Sequence, residues 1–443
     1  MRAGVAVVGA GIAGVSAAYQ LTVVQGISDV VIIDPRPPLT LTSDKSTECY
    51  RNWWPNLPMV GLMNRSIDLI EQMSEESGDA FGLSRRGYVY ATAEEQRLEQ
   101  MIEDAGTISG FGAGDARIHH TPDSYDPSPA TVDGADILVG SATALAHFPY
   151  LTEETIGVLH ARRAGWFSAQ QAGAWMLERA RDAGLELVVD EVVDVRVSAH
   201  QVTAVELKSG ETIEVPIVVD AAGPISPQVA AMAGLDLPIV SELHLKVAYR
   251  EHLGHIPRDA PMIIWSDTQT IDWSDDEREA LAAEGRDDVL GEMPIFCHGR
   301  PEGGTDSPFF VGLWEYNNDA REPEWPLPED PLYPEVVMRG LTTMVPALTE
   351  YLDRLPHSVV DGGYYSKTVE NRPLVGPAGP EGFHLIAAMS GFGVMVSAGA
   401  ADLLARHIAD VELPVYADAF LLSRYDDPEY LLEVERLADS GQL

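Results

Sequence analysis

The opening segment, VAVVGAGIAGVSAAYQL from Val5 with VVIID ending at Asp34, constrains the fold more than any other stretch. Four consecutive apolar residues, Val5 to Val8, read as a strand buried on both faces, the pattern of a parallel sheet. Gly9-x-Gly11-x-x-Gly14 follows at once and leads into an Ala-rich segment of helical character. Each glycine has its own steric task. Gly9 permits a tight turn, Gly11 lets a pyrophosphate approach the backbone, and Gly14 lets the helix lie close to the strand. The helix N-terminus then offers free N–H groups and partial positive charge to the phosphates. A second apolar run ends at Asp34, twenty residues after Gly14. There a carboxylate can accept from both ribose hydroxyls. A glycine triplet alone is weak evidence, and its bland reading is a turn in an unrelated α/β protein. Here strand, turn, helix, second strand and acid stand in register, which predicts a dinucleotide-binding unit.

The remaining bounds are broad. With 443 residues the chain holds core for two or three domains. No apolar run is long enough to span a membrane, and no basic-then-apolar leader precedes the first strand. A cytoplasmic protein with no membrane span is therefore expected. A net charge of −40 and only four lysines, Lys45, Lys208, Lys246 and Lys367, argue against nucleic acid or anionic lipid as partner. Such an excess of carboxylates suits a solvated surface whose self-repulsion is screened by high salt. Cys49 and Cys297 are too few for a disulfide framework, a cysteine zinc cluster or an iron–sulfur cluster, and are expected as free thiols.

Residues 35–56 lack periodicity and are too long for an ordinary connection. They carry Ser43, Ser46, Thr47, Lys45, Arg51 and the pair Trp53-Trp54, which favours contact with cofactor or substrate over a plain surface loop. Helical patterns follow at 57–78, 94–102 and 165–183, the last capped by Ser168. A strand is expected at 85–92. His119 and His120 are adjacent, so on a strand they would point apart, which argues against a metal site. Strands at 185–189, 191–198, 202–207 and 212–215 lead to a buried strand and small residues at 217–224, which return to the first sheet, and then to a helix at 227–233. Strands at 243–250, 262–265, 293–298 and 309–316 suggest an antiparallel sheet. Between them lies an acidic insertion, 267–292, with ten Asp/Glu against Arg278 and Arg286. It reads as a solvated loop and helix, or a lid. A helix is expected at 341–352. The block 362–399 reads as strand, turn, strand and a glycine-rich turn entering an Ala-rich helix. From 413 onward a peripheral helical tail is expected.

Three of these blocks resemble the D-amino-acid oxidase / sarcosine oxidase (DAO) family of FAD-dependent oxidoreductases. They are VAVVGAGIAGVSAAYQL…VVIID, IVVDAAGPISPQVAAMAGL from Ile217, and GGYYSKTVENRPLVGPAGPEGFHLIAAMSGFGVMVSAGAADLLA from Gly362. Their order and spacing carry the resemblance across essentially the whole chain. It implies an α/β fold: a Rossmann-like FAD-binding domain with a second, mainly antiparallel β-sheet substrate domain. The implied division assigns 1–85, 150–235 and 346–412 to the FAD domain, 86–149 and 236–345 to the substrate domain, and 413–443 to the tail.

The resemblance further implies hydride transfer to flavin from the C–H next to the nitrogen of an amine, amino acid or N-methyl amino acid, giving an imine that hydrolyses. O2 or another acceptor would take the electrons. The flavin-site positions it implies are Gly9, Gly11, Gly14, Asp34, Ser43, Lys45, Ser46, Val192, Gly223, Gly391 and Gly393, with Met395 at the end of the same turn. Some relatives attach FAD to a cysteine near the start of the C-terminal block, where this chain has Gly363-Tyr364-Tyr365. Others use a histidine after the second strand, and residues 35–56 contain none. FAD is therefore expected to bind non-covalently. Met395 stands where sarcosine oxidase has a carboxylate-binding lysine. The stretch Val311 to Glu315 likewise lacks the lysine that relatives bring to the flavin for oxygen, so a dehydrogenase stays open beside an oxidase. The candidate catalytic set is Lys45, Arg51, Trp314 and Tyr365. Lys246, His298, Arg300, Lys367 and Arg372 are further cations for a carboxylate. Tyr249, Trp265 and Tyr364 are further candidate walls. Cys297 and His298 should point apart. Two other readings remain: oxidation of a hydroxy acid or polyol, and a flavin subunit of a multi-chain dehydrogenase.

Overall fold

The first strand, Val5–Val8, is held between two parallel partners: Val30–Ile33, paired from Val5↔Val30 to Val8↔Ile33, and Ile217–Asp220, paired from Val5↔Ile217 to Val8↔Asp220. This is seen in a computed structural model, which describes residues 1–128, 132–304 and 307–437. The sheet has six strands in the order Leu374–Pro377, Phe383–Ala387, Ile217–Asp220, Val5–Val8, Val30–Ile33 and Glu186–Val188. Only the edge strand Leu374–Pro377 runs antiparallel to its neighbour. Central strands buried on both faces explain the unbroken apolar runs.

The long helix Leu57–Ser77 lies against the helix Gly393–Ala409. Ser66 Oγ donates to Met395 O at 2.5 Å and accepts from Gly399 N at 3.0 Å, and Arg65 pairs with Asp402 at 2.9 Å. The N-terminal end of the second helix is thereby fixed beside the sheet.

A second sheet has nine strands in the order Ser358–Lys367, Val240–Arg250, Phe309–Leu313, Cys297–Glu302, Met262–Trp265, Tyr88–Thr92, Gly157–Ala161, Ala135–Val139 and Ala116–His119. It is mainly antiparallel, with two parallel pairs. Alternation along its strands serves two faces. On one face Val247, Tyr249, Phe310 and Trp314 form a core with Val336, Val337 and Leu341 of the helix Tyr333–Met344. On the other, Tyr88, Tyr90, Met262 and Ile264 share a core with Trp54, Phe392 and Met395. Each such buried side chain contributes about 1.5–3 kcal/mol.

Several expectations need correction. Gly157–Ala161 and Ser358–Lys367 join the nine-stranded sheet, although both fall within ranges expected for the nucleotide-binding domain. The helix expected at 341–352 begins at Tyr333 with Pro334 in its first turn and stops at Met344; Pro346 then opens a 3₁₀ turn, Pro346–Tyr351. Proline is tolerated in a first turn and resists helical continuation from the residue before it. The acidic segment does not hang free. Its helix Asp275–Ala283 is closed by a reciprocal Ser274–Glu277 cap. Arg339 binds Glu277 at 2.7 Å and lies 4.2 Å from the Trp273 ring centre. Nor is the tail peripheral: Arg424 is buried and bound to Glu370 at 2.7 Å. The last six residues of the expected tail lie outside the described residues. His119 pairs with Asp136 at 2.8 Å, and no group of metal-ligating side chains forms among the described residues.

Candidate cofactor and substrate cleft

The two sheets enclose a cleft of about 470 Å³, and its floor begins at the glycine turn. Gly9 has φ +105°, and a Cβ there would lie 2.5 Å from Ala221 O. A Cβ on Gly14 would lie 1.9 Å from Gly9 O. The turn can therefore form only without these side chains. Asp34 closes the unit: its carboxylate accepts from Ala10 N and Arg36 N, each at 2.8 Å. Ser43 Oγ accepts from Ile12 N at 2.8 Å and so sits at the helix N-terminus.

The rest of the lining is made by residues 221–225 beside this turn, by 386–391 with 393–394, and by 363–366 of the nine-stranded sheet. All three resembling blocks thus meet in one cleft. Gly9, Gly11, Asp34, Ser43, Lys45, Ser46, Val192, Gly223, Gly391, Gly393 and Tyr365 line it. Lys45 Nζ pairs with Asp361 at 2.9 Å.

The other expected site residues lie elsewhere. Gly14 packs beneath the turn and does not line the cleft. Met395 is buried among the helices, its carbonyl taken by Ser66. Arg51 is 3% exposed; its guanidinium lies 4.5 Å from the Trp54 ring centre and Nη1 donates to Tyr90 OH at 3.0 Å. Trp314 is on the far face of its strand. Leu313 faces the cleft, so its neighbour must face away, and Trp314 Nε1 donates to Pro294 O at 2.9 Å. Tyr249 and Trp265 belong to that same rear core.

Of the further cations, Lys246 lines the cleft and its Nζ donates to Ser46 O at 2.7 Å. Burial pulls its pKa down against the opposing pull of Asp361 and Glu48. Arg300 is spent on Thr47 O, to which Nη2 donates at 2.7 Å, and on Glu302 at 2.7 Å. Lys367 pairs with Glu242 at 2.9 Å, and Arg372 donates to Tyr430 OH at 3.3 Å. His298 is buried and its pKa is lowered by burial. Tyr364 lines the cleft through its strand while its hydroxyl accepts from Glu324 N at 3.0 Å.

Two groups escaped the sequence reading. His244 lines the cleft and stacks on Tyr365, ring centres 3.8 Å apart. A signal was present: Glu242, His244 and Lys246 alternate with Leu243, Leu245 and Val247, so one face of this strand is polar. Ser390 also lines the cleft; its Oγ is buried with no hydrogen-bond partner among the described residues. Ala388 at φ +55° and Ser390 at φ +48° are left-handed without being glycine. Strain of this kind, about 1–3 kcal/mol per residue, collects at ligand sites.

A ligand that spans the cleft must offer phosphates at one end and hydrogen-bond acceptors for Ser390 and the second turn at the other. The glycine turn, the Asp34 carboxylate and the Ser390 hydroxyl fit a flavin dinucleotide.

Comparison with known proteins agrees with this. The family model described as DAO, FAD dependent oxidoreductase, matches residues 4–407. No match was found among curated protein sequences. Among solved structures, L-proline dehydrogenase from P. horikoshii superposes with a TM-score of 0.73 at 20% identity, covering 96% of this chain and 98% of that one. Glycine oxidase from Geobacillus kaustophilus gives 0.72 at 17% identity, covering 96% and 99%. Iminodiacetate oxidase from Chelativorans sp. BNC1 gives 0.68 at 19%, covering 94% and 98%. At these identities the likeness concerns the fold.

Proposed function

The chain belongs to the DAO family of FAD-dependent oxidoreductases, and from that premise we propose that it oxidises the carbon–nitrogen bond of an amine, an amino acid or an N-methyl amino acid. The observation that carries this reading is the single cleft in which both glycine turns face the polar side of a sheet strand, Val240–Arg250. When bound, FAD accepts a hydride from the carbon next to nitrogen, leaving an imine that water hydrolyses.

In this reading the six-stranded sheet holds the cofactor and the nine-stranded sheet the substrate. Gly9, Gly11 and Ser43 hold the pyrophosphate, Asp34 the adenosine ribose, and Ser390 and the turn through Gly393 the ring end. The cofactor is non-covalent. Among the residues lining the cleft there is no cysteine, Cys49 and Cys297 are both free and buried, and the one histidine, His244, is held by Glu242, Glu315 and Tyr365. Two unpaired thiols also suit a reducing compartment, and we place the protein in the cytoplasm. Among the described residues no helix is long and apolar enough to cross a membrane.

Lys246 supplies positive charge to orient a substrate carboxylate. Tyr365, whose pKa burial pushes far up, keeps its proton and can donate. Leu313, Ile386, Met389 and Val394 on the cleft walls exclude water from the reacting carbon. Arg51 acts at one remove by fixing Trp54 and Tyr90.

An anaerobic visible spectrum, titrated with pooled amino acids and N-methyl amines, tests the proposal. Bleaching of the flavin by one pool is the expected result, and admitting air then separates O2 from another acceptor. A flavin that stays oxidised with every pool refutes the substrate class. A protein that cannot be loaded with FAD refutes the whole reading. Acid precipitation should release the flavin into the supernatant.

A further inference from the structure

Among the residues lining the cleft, His244 is the one histidine. Its side chain is 2% exposed. Nε2 lies 3.2 Å from Glu242 Oε2, and Nδ1 lies 3.0 Å from Glu315 Oε1, the second contact off the line of a hydrogen bond. Its ring stacks on Tyr365 with 17° between the planes. The charged and titratable groups around it come from four strands. Glu242 and Lys246 share its own strand, and Glu315 lies two residues past the end of the neighbouring strand Phe309–Leu313. Tyr365, Lys367 and Asp361 lie on Ser358–Lys367, and His298 on Cys297–Glu302. The strand Ser358–Lys367 also touches the turn Ser390–Phe392, so this wall stands at the ring end of the cleft.

A neutral imidazole has one donor and one acceptor, so it cannot satisfy two carboxylates at once, whereas the protonated ring offers a donor to each. Burial opposes the charge, but Glu315 and Glu242 outweigh it and raise the pKa of His244. Burial likewise opposes ionisation of Glu315 and Glu242, and the facing cations hold both below the usual carboxylate value.

We infer that His244 is the positioned cation that offsets the negative charge FAD acquires on reduction, an inference that rests on the reading that FAD occupies this cleft. A hydride delivers two electrons and one proton to a neutral ring system, so the reduced ring is anionic unless solvent protonates it. His244 keeps its own proton and forms no bond. Its carboxylate neighbours keep the ring protonated, and the low-dielectric wall lets that proton's charge act on the cofactor with little screening by water.

The test is the two-electron midpoint potential of the FAD-loaded protein, measured by dye equilibration in wild type, His244→Gln and His244→Lys. His244→Gln should make reduction at least tenfold less favourable, a fall of about 30 mV for a two-electron couple. His244→Lys keeps the charge and should stay within about threefold of wild type. The wild-type plot of potential against pH should change slope above the free imidazole value of about 6.5, as His244 loses its proton. His244→Gln with the wild-type potential overturns the inference. If that variant does not retain FAD, a wild-type plot with no change of slope overturns it. A wild-type protein that takes up no FAD fails the proposed function itself, whereas a normal flavoprotein insensitive at His244 fails only this inference.

Discussion

Arg424 is the sharpest place to test how the C-terminal segment supports the cofactor cleft. Its side chain is 4% exposed and that of Glu370 0%. Nε and Nη2 donate to Glu370 Oε1 at 3.0 and 2.7 Å, Nη1 to Pro373 O at 2.9 Å, and Nη2 to Arg372 O at 3.0 Å. Arg424→Met keeps much of the volume and removes every donor. Breaking one side of a buried pair costs about 3–5 kcal/mol. Tyr425 and Tyr430 still donate to Glu370, at 2.8 Å each, so the lower half of that range applies. Unfolding entropy of about 2.1 cal/mol/K per residue over 443 residues is roughly 0.9 kcal/mol/K, so a 3–4 kcal/mol loss lowers Tm by about 3–4 °C. Differential scanning calorimetry of the FAD-loaded protein measures it. The pH dependence supplies a second readout. Burial resists ionisation of Glu370, yet Arg424 and Tyr430 outweigh it and hold its pKa below the ordinary value. A depressed carboxylate pKa stabilises the fold above the unfolded value, about 4.3, and that stabilisation is lost as pH falls through the folded value. The gap between wild type and Arg424→Met should therefore be full at pH 7 and shrink below pH about 4. An Arg424→Met protein that melts with wild type at pH 7, or a gap that widens in acid, refutes the reasoning.

Gly14→Ala places a methyl group where only 1.9 Å separates it from Gly9 O, and overpacking of about 1–3 kcal/mol should weaken FAD retention roughly 5- to 150-fold. The flavin-to-protein absorbance ratio after gel filtration reads this, and a fully loaded variant contradicts the steric argument. Arg339→Met releases Glu277 and the Trp273 ring, so limited proteolysis should cut within 272–292 faster than in wild type while flavin content is unchanged; equal cleavage rates would mean that Arg339 does not hold the segment. With a net charge of −40, Tm should fall on dilution from 1 M to 10 mM salt, as the screening length grows from about 3 to 30 Å. A melting temperature independent of salt removes the case for a salt-adapted surface.

The nucleotide-binding half was legible because its signals are local: Val5 to Val8, the glycine spacing and Asp34 constrain one another within a few turns of chain. The antiparallel strands were legible as alternation, but alternation does not say which face another element will cover. Trp314 was assigned to the cleft for that reason; the helix Tyr333–Met344, distant in sequence, covers the rear face and claims it. His244 was missed for the same reason in reverse. Arg51 has the chemistry of a carboxylate binder, but only the folded chain shows Trp54 and Tyr90 over its guanidinium. The Glu370–Arg424 pair joins residues 54 apart through burial, which polar composition in a tail does not reveal.

The order in which the sheets are strung along the chain bears on how the protein is made. The chain visits the six-stranded sheet at 5–33, leaves for the nine-stranded sheet, returns at 186–220, leaves again, and supplies Leu374–Pro377 and Phe383–Ala387 last of the six strands. Ile217–Asp220 therefore has an unpaired edge until Phe383–Ala387 emerges from the ribosome. At roughly 5–20 residues per second, that strand follows Ile217–Asp220 by about 8–33 seconds. Throughout this interval the nascent chain exposes an apolar strand edge with no final partner, the kind of surface that is prone to aggregate. Flavin loading has to wait for residues 386–394, the last to join the cleft wall.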